Sequence, residues 1–154
     1  LQLDKNELTH PILKGNITSI YQDSEGELWI GSWEEGLHHV KTDGTIEIFE
    51  YDAKNPYSIS SNFVRACCED NLGNIWIGTF NGLNRYDKST GLFQNHTASD
   101  AQSDGLTHSS IWCIVKDNQG TLWLGDLLWR RQLLQPPSTR YTAAICIRPS
   151  KRRG

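Results

Sequence analysis

The chain has 154 residues and a mass of 17.5 kDa, room for one globular domain or part of one and too little for two of ordinary size. Hydrophobic residues make up 37%, charged residues 21% and aromatics 10%, with six Trp, a balance that excludes a disordered chain over most of the length. The net charge of -3 conceals two regimes: residues 1–125 hold 8 Lys and Arg against 17 Asp and Glu, whereas residues 126–154 hold 7 against 1, so the acidic part offers no basic stripe for nucleic acid. No run approaches the roughly 18 apolar residues of a spanning helix, and no charged start leads into an apolar core, so direct membrane contact is not expected. Methionine is absent even at position 1, as expected of a stretch taken from a longer chain.

Taken in order, the first element is an apolar strand from Ile17 to Tyr21, closed by Asp23 with Gly26 three places on. That pair is turn chemistry: the Asp side chain accepts from backbone N–H groups, and Gly supplies positive φ. A short β-prone strand, Leu28-Trp29-Ile30-Gly31, follows, then a third from Gly36-Leu37 to about Val40. The Asp23–Gly31 string returns as Asp70-Asn-Leu-Gly-Asn-Ile-Trp-Ile-Gly78 and as Asp117-Asn-Gln-Gly-Thr-Leu-Trp-Leu-Gly125, with 47 residues from Trp29 to Trp76 and 47 again to Trp123. The register extends upstream, where Ile12, Ile59 and Leu106 correspond, as do Ile17, Val64 and Ile111, and Ile20, Cys67 and Ile114. In copy two, Asp87 to Gly91 reads as a hairpin turn into a fourth strand around Leu92-Phe93.

The sequence therefore predicts four antiparallel strands per 47 residues and no helix. One such sheet buries neither face alone, so copies must stack, and radial stacking gives a β-propeller with one Trp per blade filling the space between neighbours. The fold class is all-β: an incomplete β-propeller of about two and a half blades over residues 1–125, with repeats 12–58, 59–105 and 106–125. An open arc leaves two apolar blade faces uncovered, to be met by the remaining blades of the parent chain or by a second copy.

The string Asp-x-x-Gly-x-Leu-Trp-Ile-Gly, with a following Gly-Leu and Tyr86-Asp87, resembles the two-component regulator propeller repeat over residues 12–125. The Trp-Asp dipeptide of WD40 repeats is absent, and the sialidase Asp-box has a shorter Asp-to-Gly gap. That family supplies the extracytoplasmic sensor region of bacterial hybrid histidine kinases, in which many blades precede a β-sandwich, one membrane span and cytoplasmic signalling domains. The resemblance implies a non-catalytic, periplasmic part of a ligand-sensing propeller, with an oligosaccharide as ligand and any kinase activity in other domains of the parent. The alternatives are a propeller lyase or glycan-active enzyme, which needs converging His and carboxylate groups, and a soluble lectin-like propeller.

After Gly125 the pattern breaks: where Gly78 is followed by Thr-Phe-Asn-Gly-Leu-Asn-Arg-Tyr-Asp, Gly125 is followed by Asp-Leu-Leu-Trp-Arg-Arg-Gln-Leu-Leu. Synonymous codons exist for which a one-base shift restores Thr, Tyr, Gly-Gly, Asn and Tyr, so the hypothesis is that the basic tail, residues 126–154, is out of frame. The tail is accordingly expected to be irregular, with little regular pairing beyond Gly125. The basic run Lys151-Arg152-Arg153 then needs no partner.

Cys67, Cys68, Cys113 and Cys146 have no metal spacing, and Cys67, in the slot of Ile20 and Ile114, reads as a small hydrophobe. His38 and His39 are adjacent in a strand and point to opposite faces, so they cannot share a metal; His10, His96 and His108 lack partners at ligand spacing, and all five are read as solvated or capping. Asp23, Asp70 and Asp117 are read as turn-formers. No catalytic residue, metal ligand or cofactor site is assigned. Residues that depart from the repeat are not explained by shared packing, and these are the candidate ligand contacts: Trp33, Glu34 and Glu35 in copy one, Phe80 and Asn81 in copy two, His108 and Trp112 in copy three. Rings stack on sugar C–H faces, and carboxylates and amides bond to hydroxyls.

Overall fold

The computed structural model describes residues 15–98, 106, 108–126 and 131–132. The regular elements there are all strands: β1 (Ile17–Gln22), β2 (Leu28–Ser32), β3 (Leu37–Val40), β4 (Ile46–Phe49), β5 (Val64–Glu69), β6 (Ile75–Thr79), β7 (Gly82–Asp87), β8 (Leu92–His96), β9 (Ile111–Lys116), β10 (Leu122–Asp126) and β11 (Arg131–Gln132). They form two four-stranded antiparallel sheets, β1 to β4 and β5 to β8, each ordered as in sequence, and a three-stranded sheet β9-β10-β11. These are propeller blades at the predicted period.

Each β1–β2-type hairpin is closed by the Asp of the repeat. Asp23 Oδ1 accepts the N–H groups of Glu25 (3.0 Å) and Glu27 (2.9 Å), and Gly26 sits at φ 84°. Asp70 does the same for Leu72 and Asn74, and Asp117 for Gln119 and Thr121, with Gly73 and Gly120 at φ 82° and 84°. The other carboxylate oxygen accepts the indole N–H of the repeat tryptophan six residues on, at 2.8 Å in all three copies. The turn thus holds the ring that fills the blade interface, and the ring's only polar atom is satisfied where it is buried.

Between the first two blades lie Trp29 and Leu37 from one side and Ile59, Val64, Cys67, Ile75, Ile77, Tyr86 and Phe93 from the other. One blade on, Cys68, Trp76 and Leu83 meet Leu106, Ile111, Ile114, Leu122 and Leu124. The glycine ending the repeat string permits this approach. A Cβ on Gly31 would lie 2.6 Å from Val64 Cγ1, and one on Gly78 2.8 Å from Ile111 Cγ2, so the first strand of the next blade needs a bare backbone there. Among the described residues the arc is open: Ile20 is 68% exposed while its equivalents Cys67 and Ile114, each with a described blade before it, are 8% exposed. At the other end Trp123 is partly exposed where Trp29 and Trp76 are buried.

Beyond Gly125 the described pairing is short: β10 runs to Asp126, and β11 pairs Arg131 with Gly125 and Gln132 with Leu124, in the register of Leu37 and His38 against Gly31 and Ile30 in blade one. Backbone pairing is indifferent to side chains, so the third strand can start although its sequence pattern is lost. Residues 127–130 and 133–154, with Cys146, and His10 at the other end, lie outside the described residues. One expectation needs correction: the histidines are not all solvated or capping. His38 and His39 are buried; His39 stacks on Trp29 with ring centroids 3.8 Å apart, and its Nε2 lies 2.7 Å from Glu27 Oε2. A mid-blade strand facing its neighbour buries whatever it carries, and a short carboxylate contact supplies the polar partner. Burial pushes the Cys67 thiol up to about 12, in keeping with its reading as a small hydrophobe.

Candidate functional site

At one end of the blades the first strand begins and the second strand ends, and there each blade carries an irregularity. Ile17 pairs with Ser32 and Ser19 with Gly31, skipping Thr18; Val64 pairs with Thr79 and Ala66 with Gly78, skipping Arg65; Ile111 pairs with Asp126 and Cys113 with Gly125, skipping Trp112. These bulge residues are 47 positions apart, and a bulge re-aims its side chain. Thr18 spends its hydroxyl on the next blade, donating to Val64 O at 2.6 Å.

Arg65 and Trp112 do something else. The Arg65 guanidinium carbon lies 3.9 Å from the Trp33 ring centroid and 4.1 Å from that of Trp112, a cation held between two indoles from the flanking blades. Phe63 meets Trp33 edge-on at 5.5 Å, and Phe80 lies 6.2 Å from Phe63. The result is an aromatic rim with one cation at its centre, and Trp33, Phe80 and Trp112 remain substantially exposed.

The loops that present these rings are built alike. Trp33 N–H donates to Asn16 O (2.9 Å) and Phe80 N–H to Phe63 O (3.0 Å), tying each loop to the residues that lead into its own blade. The last hydroxyl of the second strand closes the loop, Ser32 Oγ donating to Gly36 O and Thr79 Oγ1 to Gly82 O, both at 3.0 Å. Burial holds the Arg65 guanidinium below the ordinary arginine value, and its Nε is buried without an acceptor.

Of the candidate contacts, Trp33, Phe80 and Trp112 gather around Arg65 and Phe63. Glu34 is exposed on the β2–β3 loop, and Glu35 donates its N–H to Ser32 Oγ at 2.8 Å. Asn81 is exposed in the β6–β7 turn, where its N–H donates to Thr79 Oγ1. His108 Nδ1 accepts the Ser110 N–H at 2.9 Å, and the Trp112 indole donates to Ser110 Oγ, so His108 shapes the approach to β9. Arg65 was missed by sequence reasoning, although the signal was present: a lone arginine in an apolar strand, in the same slot as Thr18 and Trp112.

The opposite end carries the Asp turns and a cleft of about 540 Å³ lined by Glu25, Glu69, Arg85, Asp87 and Lys88 among others. Asp23, Glu25 and Glu27 bring carboxylate oxygens within 4.8 Å of one another there. The Lys88 ammonium sits among them, 2.8 Å from Asp23 and 2.6 Å from Glu25, and ties blade two to blade one in the place a cation would take. Burial alone would raise the Asp23 carboxyl, but hydrogen bonds from Lys88, the Trp29 indole and the Glu27 N–H hold it below its ordinary value. Glu69 completes that seam by accepting from Ser24 N and Oγ at 2.8 and 2.7 Å.

Comparison with known proteins supports the repeat. The family model described as two component regulator propeller matches residues 11–34, 58–81 and 105–127. No curated protein matches the chain. Among solved structures, the extracellular domain assigned to a hybrid two component system of B. thetaiotaomicron is similar at TM-score 0.62 and 19% identity, over 71% of this chain and 15% of that one. Virginiamycin B lyase from Staphylococcus aureus is similar at TM-score 0.58 and 16% identity, over 82% of this chain and 40% of that one. PorZ, a surface component of the type-IX secretion system of Porphyromonas gingivalis, is similar at TM-score 0.50 and 20% identity, over 77% and 16% of the two chains. At such identities the likeness shows the fold, and the chain spans less than half the length of each.

Proposed function

We propose that this chain, which carries three two-component regulator propeller repeats, is part of a non-catalytic, extracytoplasmic sensor propeller that reads a carbohydrate on the rim bearing Trp33, Phe80 and Trp112. The observation that carries the reading is the convergence of exposed rings at one end of three successive blades, Trp33 and Phe80 from the same loop slot of the first two and Trp112 from the bulge slot of the third. Exposed aromatic faces beside Glu34 and Asn81 offer stacking surfaces and hydrogen-bonding groups for a sugar. The repeat family supports a periplasmic location and signalling to a kinase in the parent chain. The exposed blade face at Ile20 and the partly exposed Trp123 at the other end are, on this reading, met by the parent's remaining blades or by a second copy.

An enzymatic reading needs a histidine and a carboxylate open to substrate. In the pair that sequence reasoning did not find, His39 with Glu27, the imidazole is buried and stacked on Trp29, so its role is in the blade interior. The test is a thermal-shift screen of the chain against a panel of neutral and acidic oligosaccharides, followed by titration of the Trp33→Ala and Phe80→Ala variants. At least one oligosaccharide should stabilise the chain, and each variant should bind it about tenfold more weakly, the loss of one stacking face. Stabilisation by none, or unchanged binding in both variants, would refute the reading.

A further inference from the structure

The rim holds a cation that two aromatic rings keep in place but no described carboxylate neutralises. Arg65 lies between Trp33 and Trp112 with its Nε buried and lacking an acceptor, and no carboxylate among the described residues pairs with it. Glu34 and Glu35, the acidic residues nearest in sequence to Trp33, leave it unpaired; Lys54, Arg85 and Lys116 also lack a carboxylate partner among the described residues, but of the described cations Arg65 alone is set against two indole rings. A partly desolvated cation with no counter-charge is costly, and it stays in place here because two indole faces hold it. Clamped on both faces, a guanidinium can act only through its edges, where its N–H donors lie in one plane. That fork matches the paired oxygens of a carboxylate or a sulfate.

We propose that Arg65 is the anchor for an acidic group on the ligand, so that the rim takes an anionic carbohydrate, a uronate or a sulfated sugar, in preference to a neutral one. The inference rests on the carbohydrate reading above and narrows it to a chemical class. The bound anion supplies the missing counter-charge, while Trp33 and Trp112 fix the plane in which it is received.

Isothermal titration of the chain with digalacturonate, its dimethyl ester, galactobiose and 6-sulfated galactobiose tests it. An acidic sugar should bind about tenfold or more tightly than its neutral counterpart, the worth of one charge-assisted hydrogen-bond pair. The tighter of the two acidic probes identifies the anion as carboxylate or sulfate. Arg65→Gln should erase the preference and Arg65→Lys should keep part of it. In the unmodified chain, raising NaCl from about 50 to about 300 mM should weaken the acidic sugar alone, a readout that needs no variant to fold. Equal binding of acidic and neutral forms, or a preference that survives in Arg65→Gln, would overturn the inference and leave the carbohydrate reading standing. Binding of none of the four also overturns it, and the carbohydrate reading falls with it only if the neutral panel gives no Trp33-dependent binding either.

Discussion

At the scale of single residues, the repeat aspartate is the group on which most depends. Asp70 accepts from two backbone N–H groups, the Asn74 side chain and the Trp76 indole, and its removal strands a buried N–H. Asp70→Ala should cost about 3 kcal/mol in urea unfolding, since hydrogen bonds to a charged group are lost and a buried donor is left unpaired. Asp117→Ala should cost visibly less, because Trp123 is partly exposed and its indole can turn to water; equal losses would contradict the account. Several carboxyls, Asp23, Asp43, Glu47, Asp87 and Asp117, are held below their ordinary values. A depressed folded-state pKa contributes stability above the unfolded value, and that contribution is lost as pH falls through the folded value. The urea midpoint should therefore hold steady near neutrality and decline as pH drops below about 4; a midpoint that rises on acidification would contradict this. The turn role of these aspartates was legible from spacing. Their bond to the indole was not, since it joins two residues six apart whose approach depends on the hairpin between them.

At the scale of elements, blade stacking turns on the bare backbone at Gly31 and Gly78. Gly78→Ala should cost about 2 kcal/mol, because the added methyl meets both the Ile111 side chain and its carbonyl oxygen, and a packed core yields to such a group only by shifting. A neutral Gly78→Ala in urea unfolding would show that the blades do not approach as described. Strand order, hairpin closure and the interface tryptophans could all be read from the 47-residue period, since packing repeated in space leaves repetition in sequence. The buried histidines of β3 and the two-residue β11 could not. Copy one alone carries His38-His39, and periodicity is silent on a residue that occurs in one copy; β11 pairs through backbone groups that no side-chain pattern records. The rim was half legible: Trp33, Phe80 and Trp112 could be singled out as candidate contacts, although Trp33 and Phe80 share one slot of the repeat, whereas Arg65 acquires meaning only when the flanking blades bring two indoles to it.

At the scale of the whole molecule, the arc has a covered middle and open ends, and equivalent positions should respond accordingly. Ile20→Glu should change stability by no more than about 0.5 kcal/mol, as surface substitutions do. The same change at Ile114, two blades on and buried, places an unpaired carboxylate in a blade interface and should prevent folding at neutral pH. Equal tolerance at both positions would mean that the copies do not stack in sequence order. The tryptophans divide in the same way, with Trp29 and Trp76 inside the stack and Trp33 and Trp112 on the rim. The most direct measurement is therefore a two-dimensional ¹⁵N–¹H spectrum of the indole N–H groups during titration with an oligosaccharide that stabilises the chain. The Trp33 and Trp112 resonances should move with saturating dependence on ligand while those of Trp29 and Trp76, bonded to Asp23 and Asp70, stay in place. Shifts confined to Trp29 and Trp76, or no indole shift at saturation, would contradict a ligand-reading rim built on a propeller arc.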